Sequence, residues 1–307
     1  MIETKALTRS FGKMTVVDRL DLSIRSGEVF GFLGPNGAGK TTTVRMLTCL
    51  IRPSSGTAIV DGLDVTNEKD AMQIRSRVGL LTETPGLYDT LSAYKNLRFY
   101  GRLYDVPEPR LGEQIERYLK LLDLWDKKDQ PVGGYSKGMR QKIAITRCLL
   151  HDPKVIFLDE PTSGLDPEAS RIVRDFVLEL KKEGHTIFLC THNLDEADRL
   201  CDRIGIFKGK LLSLDTSAHL KDKLYGRQIR VQLKAISPGL VEQIRSLGYV
   251  SGVEARGNTI TMNVGSPEQD NPELVRALVK AGADVQFITE SSRSLEEVYF
   301  KIMGEKQ

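Results

Sequence analysis

Cysteine is scarce in this chain and scattered. Cys49, Cys148, Cys190 and Cys201 are the only four in 307 residues, and none forms a C-x-x-C pair. A secreted disulfide framework needs denser spacing, and a structural zinc site needs paired ligands. All four read as reduced thiols. A surplus of one charge is missing too: 44 basic residues face 41 acidic ones, a net charge of +3. That gives no basis for nucleic-acid binding by bulk electrostatics, and no long block of like charge reads as a tail. No apolar run approaches the ~18 residues needed to span a bilayer. Any pore that the protein serves is therefore expected on another chain. The first residues, MIETKALTRSFGK, carry no apolar core of a signal peptide. No short-period repeat is visible.

What is present is an ordinary globular composition, 40% hydrophobic and 28% charged. The length suits one large α/β domain and a small second one. TKALTRSF and VVDRLDLSI read as two strands of near-alternating apolar residues. EVFGFLG, VIFLD (155–159) and TIFLCTH are continuous apolar runs that suit buried strands. KTTTVRMLTCL and SRIVRDFVLELKKEG have helical spacing, the second closed by Gly184. Strands alternating with helices predict a mostly parallel sheet. Between about residues 84 and 134, NLRFYGRLY and IERYLKLLDLW predict an inserted helical subdomain. From about residue 216 the pattern becomes β-α-β-β-α-β, a split-βαβ order, and a last helix at SLEEVYFKIMG closes it. The expected organisation is thus a domain at 1–215 and an α+β domain at 216–307.

Chemistry concentrates first in GPNGAGKTT, residues 34–42. It matches G-x-x-x-x-G-K-[ST] between an apolar strand and an amphipathic helix, which is the context a phosphate loop requires. Gly37 and Gly39 permit backbone angles closed to other residues. The loop can then aim several N–H groups at one phosphate chain, reinforced by the helix N-terminus. Lys40 supplies a full charge to the β- and γ-phosphates, and Thr41 a hydroxyl for Mg²⁺. VIFLDE supplies the partner. Asp159 and Glu160 end a buried strand at the edge where open α/β sheets bind ligands. Asp159 is expected to hold Mg²⁺ through water, and Glu160 to act as general base on the attacking water. Two acids alone would read as a solvated strand end; a phosphate loop gives them a task.

Across about residues 1–215 the chain resembles the ATP-binding subunits of ABC transporters. The distinguishing segment is YSKGMRQK (135–142), similar to the family signature L-S-G-G-Q. The resemblance implies a P-loop ATPase core, a mostly parallel sheet with antiparallel strands and a helical subdomain, with ATP as substrate and Mg²⁺ as cofactor. ATP contacts are then expected from Gly34, Asn36, Gly37, Ala38, Gly39, Lys40, Thr41 and Thr42. Ser136 and Gly138 would bind the γ-phosphate held by the opposite subunit. Tyr135, Lys137 and Met139 depart from the family pattern, and Lys137 adds a cation. Ser163-Gly164-Leu165-Asp166 looks like the loop that crosses the dimer interface. His192 looks like the switch histidine that contacts the γ-phosphate, and Phe11 sits where the family stacks an aromatic on adenine. Glu83 stands where the family carries a glutamine, and is expected as a metal-side ligand.

One set of motifs with a signature that acts in trans implies two chains and two composite sites, by default a homodimer. The resemblance further implies a transmembrane permease on a separate chain, and a cytoplasmic location on the inner face of the cell membrane. The helical subdomain would carry motion to that partner; Tyr88, Phe99 and Tyr100 read either as a groove for a partner helix or as core packing. The C-terminal region resembles the accessory domain of subunits serving drug and antibiotic exporters. A soluble ATPase acting on DNA or ribosomes is the competing reading. The long coiled-coil or zinc insertions and the second cassette typical of those proteins are not found here, so no nucleic-acid partner is expected. Intact Glu160 argues against a third reading, a regulatory module that only holds ATP.

Overall fold

A computed structural model describes residues 1–82, 84–291 and 294–304. The chain divides into two compact units, Met1–Asp215 and Thr216–Gln307.

The first unit opens with a long hairpin, β1 (Ile2–Phe11) and β2 (Met14–Ile24), followed by the buried strand β3 (Val29–Leu33) and helix α1 (Lys40–Leu47). Then come β4 (Ser55–Val60), β5 (Leu63–Asp64), α2 (Glu68–Arg77) and β6 (Val78–Leu81). A helical stretch supplies α3 (Ala93–Leu103), α4 (Glu108–Leu121) and α5 (Lys137–Leu149). The unit closes with β7 (Val155–Asp159), α6 (Pro167–Lys182), β8 (Thr186–Thr191), α7 (Leu194–Leu200), β9 (Arg203–Lys208) and β10 (Lys210–Asp215).

Two sheets result. One is antiparallel, in the order β2-β1-β4-β5; the other has the order β10-β9-β3-β8-β7-β6 and is parallel except for β10. Side chains alternate across each strand of the second sheet. Phe30, Phe32, Phe157 and Phe188 pack on one face with Leu7, Leu20 and Ile24 of the hairpin. Val29, Ile156, Leu158, Ile187 and Leu189 pack on the other with Ile145 and Leu149 of α5 and Val173 and Val177 of α6. Both faces being covered explains why these strands are continuous apolar runs. Rings of Phe32 and Phe188 lie 5.2 Å apart, centroid to centroid, beneath the strand ends that carry the site.

The helical stretch has its own core, in which Leu97, Leu111, Ile115 and Leu119 meet Ile143 and Leu150. Its packing therefore reaches into α5. IERYLKLLDLW does not continue as helix to Trp125: α4 ends at Leu121, and Asp123 takes a left-handed φ of +56°. Three stretches to which the sequence assigned no elements, 57–82, 193–215 and 217–225, are structured. In α2 only Ile74 is buried, so it shows no apolar stripe to read.

The second unit contains α8 (Ser217–Tyr225), β11 (Arg227–Leu233), α9 (Leu240–Arg245), β12 (Val250–Arg256), β13 (Thr259–Val264), α10 (Pro267–Lys280), β14 (Val285–Ser291) and α11 (Leu295–Met303). Its sheet has the order β12-β13-β11-β14 and is antiparallel throughout. Ile229, Val231, Ile260 and Met262 cover one face together with Leu240, Ile244, Leu274 and Leu278 from α9 and α10. That is an α+β layer pair with the β-α-β-β-α-β order. Among the described residues no helix is long and apolar enough to cross a membrane.

Candidate active site

The turn between β3 and α1 owes its shape to glycine. Gly37 and Gly39 have φ of +77° and +102°. A β-carbon on Gly39 would also come within 2.7 Å of the Val16 carbonyl oxygen. The first α1 bond runs from Thr43 N–H to Gly39 O at 2.9 Å. The N–H groups of Lys40, Thr41 and Thr42 therefore have no partner within the helix and face its N-terminus, an anion-binding arrangement.

A cleft of about 530 Å³ opens over this turn. Asn36, Gly37, Ala38, Gly39, Lys40, Thr41 and Thr42 line it from the loop, Asp159 and Glu160 from the end of β7, and His192 from the end of β8. The buried ammonium of Lys40 donates to Gly34 O at 2.6 Å and lies 3.6 Å from Glu160 Oε1. His192 Nδ1 is 2.9 Å from that same oxygen. Glu160 itself adopts φ of +52°, held by its N–H donating to Cys190 O at 2.9 Å. A left-handed glutamate is costly and persists only where its surroundings hold it.

Thr41 Oγ1 donates to Asp159 Oδ2 at 2.8 Å. A hydroxyl and a carboxylate this close are two hard oxygen donors. No group of three or more His, Cys, Asp or Glu among the described residues forms a metal cage. Mg²⁺ commonly takes one or two protein oxygens and completes its shell with water and substrate phosphate, so this donor pair fits it.

Not every expected residue reaches the wall. Ser136 caps α5, its hydroxyl accepting from Met139 N–H at 3.3 Å, and Gly138 is buried behind it against Ala169. Neither lines the cleft, nor does Asp166, whose carboxylate caps α6 by accepting from Ala169 N–H at 2.8 Å. Gly34 contributes its carbonyl to Lys40 and not a wall. Phe11 ends β1 half exposed, with the Arg9 guanidinium 4.5 Å over its ring, and does not line the cleft either. Glu83 lies outside the described residues.

Beyond the phosphate loop, the wall also holds Lys137 and Ser163, which the sequence reading placed in the signature and the interface loop, and Val16 and Gln141, to which it gave no role. Lys137 and Gln141 are one helical turn apart on α5, so the i, i+4 spacing was the available signal. Gln141 is buried, and its Nε2 donates to Pro161 O at 3.1 Å, tying α5 to the loop after β7. Val16 had no signal, because only the packing of β2 against the Gly39 turn brings it there.

The family model described as ABC transporter matches residues 17–163. The uncharacterized ABC transporter ATP-binding protein YhcH of Bacillus subtilis (strain 168) is 35% identical over 99% of this chain and 96% of its own length. The daunorubicin/doxorubicin resistance ATP-binding protein DrrA of Streptomyces peucetius is 35% identical over 99% of this chain and 92% of its own. Among solved structures, CbiO1 of Clostridium perfringens, part of the ABC transporter complex cbiONQ, superposes with a TM-score of 0.64 at 29% identity, covering 70% of this chain and 88% of that one. A full-length match of this strength, on a fold whose sheet edge carries a phosphate loop and two carboxylates, leaves one assignment: the chain belongs to the ABC transporter family as an ATP-binding, ATP-hydrolysing subunit.

Proposed function

We propose that this subunit powers an exporter by pairing with a second copy over bound ATP. The observation that carries the reading is the cleft that joins Lys40, Thr41, Asp159, Glu160 and His192 while Ser136 and Gly138 stay off its wall. A γ-phosphate in this cleft is contacted from one side only. A second chain that offers its α5 N-terminus would complete the cage, and the two-fold gives two such sites.

Within each site the phosphate-loop N–H groups and Lys40 bind and orient the phosphate chain. Thr41 and Asp159 would hold Mg²⁺, which supplies charge neutralisation on the β- and γ-phosphates. Glu160 takes the proton of a water that attacks the γ-phosphorus, giving ADP and inorganic phosphate. His192, hydrogen-bonded to the same carboxylate, holds Glu160 toward the γ-phosphate. Loss of the bridging phosphate then releases the pair.

The helical region is the proposed link to a permease. Tyr88 and Phe99 lie edge to face at 5.2 Å and are both exposed, and Phe99 meets Tyr100 at 5.4 Å. Buried Asn96 fixes the loop before α3 by accepting from Tyr88 N–H at 2.8 Å and donating to Leu91 O at 3.1 Å. A rigidly held aromatic surface suits a partner helix. Export is supported by the relative named for drug resistance, since the match spans both units. With the permease in the membrane, the subunit works on its cytoplasmic face.

The test uses tagged Glu160→Gln chain, loaded with Mg·ATP and recovered from native membranes in mild detergent. Mass spectrometry should find a multi-span membrane protein in roughly one-to-one ratio. Recovery of ribosomes or DNA alone would replace the transporter reading with the soluble one.

A further inference from the structure

Glu160 leaves β7 and His192 leaves β8, yet hydrolysis as proposed needs their side chains in contact. Two separate loops must therefore keep one register. The left-handed backbone of Glu160 makes its loop the more demanding of the two, because such a conformation persists only where the surroundings over-determine it.

Behind both loops lies Glu196, on α7 and 1% exposed. Its Oε1 accepts from Thr162 Oγ1 at 2.8 Å, two residues beyond Glu160. Its amide donates to Asn193 Oδ1 at 3.0 Å, the residue that follows His192. Asn193 N–H in turn donates to Thr191 Oγ1 at 3.0 Å. The Glu196 side chain thus ties the loop of the base to α7, whose N-cap, Asn193, directly follows His192; the bond to Asn193 is a backbone one and survives any side-chain change at 196. Its other oxygen, Oε2, is buried with no hydrogen-bond partner. Burial pushes this carboxyl above its usual range, against the hydroxyls of Thr191 and Thr162, which favour the ionised form. An apolar residue would fill the space at lower cost if packing were the only task.

We propose that Glu196 is a positioning residue for the hydrolytic step, its carboxylate tying the Glu160 loop, through Thr162, to the helix that starts directly after His192. This rests on the reading of Glu160 as general base. Glu196 does not line the cleft and its hydrogen bonds go to the loops after β7 and β8, so its expected effect is on the rate of chemistry and not on nucleotide binding.

The experiment compares full-length Glu196→Leu, Glu196→Gln, Thr162→Val and the Glu196→Leu/Thr162→Val pair with the parent chain. Steady-state ATPase, binding of a fluorescent ATP analogue and thermal melting are read for each. Glu196→Leu and Thr162→Val should each lower kcat roughly tenfold to a hundredfold, the scale of a small misplacement of a catalytic group. KM and analogue affinity should stay within about twofold, the signature of an interaction felt only in the transition state. The double variant should be no worse than the worse single one, because both remove the same contact. Glu196→Gln should keep most of kcat, since its amide oxygen accepts the same bond. An unchanged kcat in Thr162→Val, or a kcat that falls only with the folded fraction, overturns the proposal. Should Glu196→Leu fail to fold, Thr162→Val carries the test by itself. Glu160→Gln run alongside separates the two readings. If it is inactive while Thr162→Val turns over normally, only the positioning role fails. If it still turns over, the base assignment falls, and this role with it.

Discussion

Glu160 Oε1 lies between His192 Nδ1 at 2.9 Å and Lys40 Nζ at 3.6 Å. One carboxylate oxygen therefore connects the end of β7 to the end of β8 and to the start of α1. Glu160→Gln should lower turnover by about 10²–10⁴-fold, the range for loss of a general base, and leave ATP binding intact. His192→Ala should act in the same direction, and the double variant should be far less than additive, because the pair works as a unit. Phosphate release in single turnover, with nucleotide binding measured separately, checks this. Equal losses of binding and turnover would count against it.

Gly39 faces two independent objections to a side chain. Its φ is +102°, and the Val16 carbonyl oxygen lies 2.7 Å from the place a β-carbon would take. Gly39→Ala should cost ~1–3 kcal/mol of stability. It should also abolish nucleotide binding, because relief of the contact reshapes the turn that aims the N–H groups. A melting curve and an ATP titration together decide it; normal binding would show that the turn tolerates the shift.

Burial governs all four thiols. It raises Cys49 and Cys148 to about 11 and pushes Cys190 and Cys201 well above the usual thiol range. The Cys148 thiol also lies 2.8 Å from Leu80 O and 3.0 Å from Ala144 O. Thiolate at neutral pH is thus a trace, and thiolate is the reactive form. Alkylation of the native protein at neutral pH should be slow at every cysteine and become complete on unfolding. Rapid native labelling of Cys148, Cys190 or Cys201 would contradict the packing.

Asp64 gives a pH-dependent contribution to stability. Partial burial raises its pKa, but the Thr66 hydroxyl and amide and the Thr57 hydroxyl more than offset this, so the net shift is downward. Those three bonds are 2.7, 2.8 and 2.8 Å long. A carboxyl depressed in the folded state stabilises it fully above the unfolded pKa, about 3.9, and that stabilisation is lost as pH falls through the folded value. Asp64→Ala should therefore cost ~1–2 kcal/mol at neutral pH and progressively less below about pH 4. Urea unfolding at both pH values reads the difference, and an equal cost at both would refute it.

Strong periodic or continuous segments were readable without coordinates. VIFLD and TIFLC are buried on both faces, and their unbroken apolar runs say so. The polar helix α2 and the β9–β10 hairpin were not, because neither carries an apolar stripe or run long enough to stand out. The helical extent was misjudged at Trp125, where Asp123 takes a left-handed angle that an apolar spacing of Leu119, Leu122 and Trp125 does not betray.

The sequence by itself determined the family, the α/β class and the contiguous half of the site. Residues 34–42 carry their own geometry, because glycine freedom and a helix N-terminus are local properties. Only the tertiary structure decided what stands around that loop. Sheet order β3-β8-β7 sets His192 beside Glu160 although 31 residues, positions 161–191, separate them in the chain. Packing of α5 turns Lys137 and Gln141 toward the cleft, while Phe11 and Asp166 are directed elsewhere. Glu196 was silent in the sequence for the same reason: its role depends on two loops that meet only when the strands pair in register, and pairing between distant strands leaves no local trace in either one.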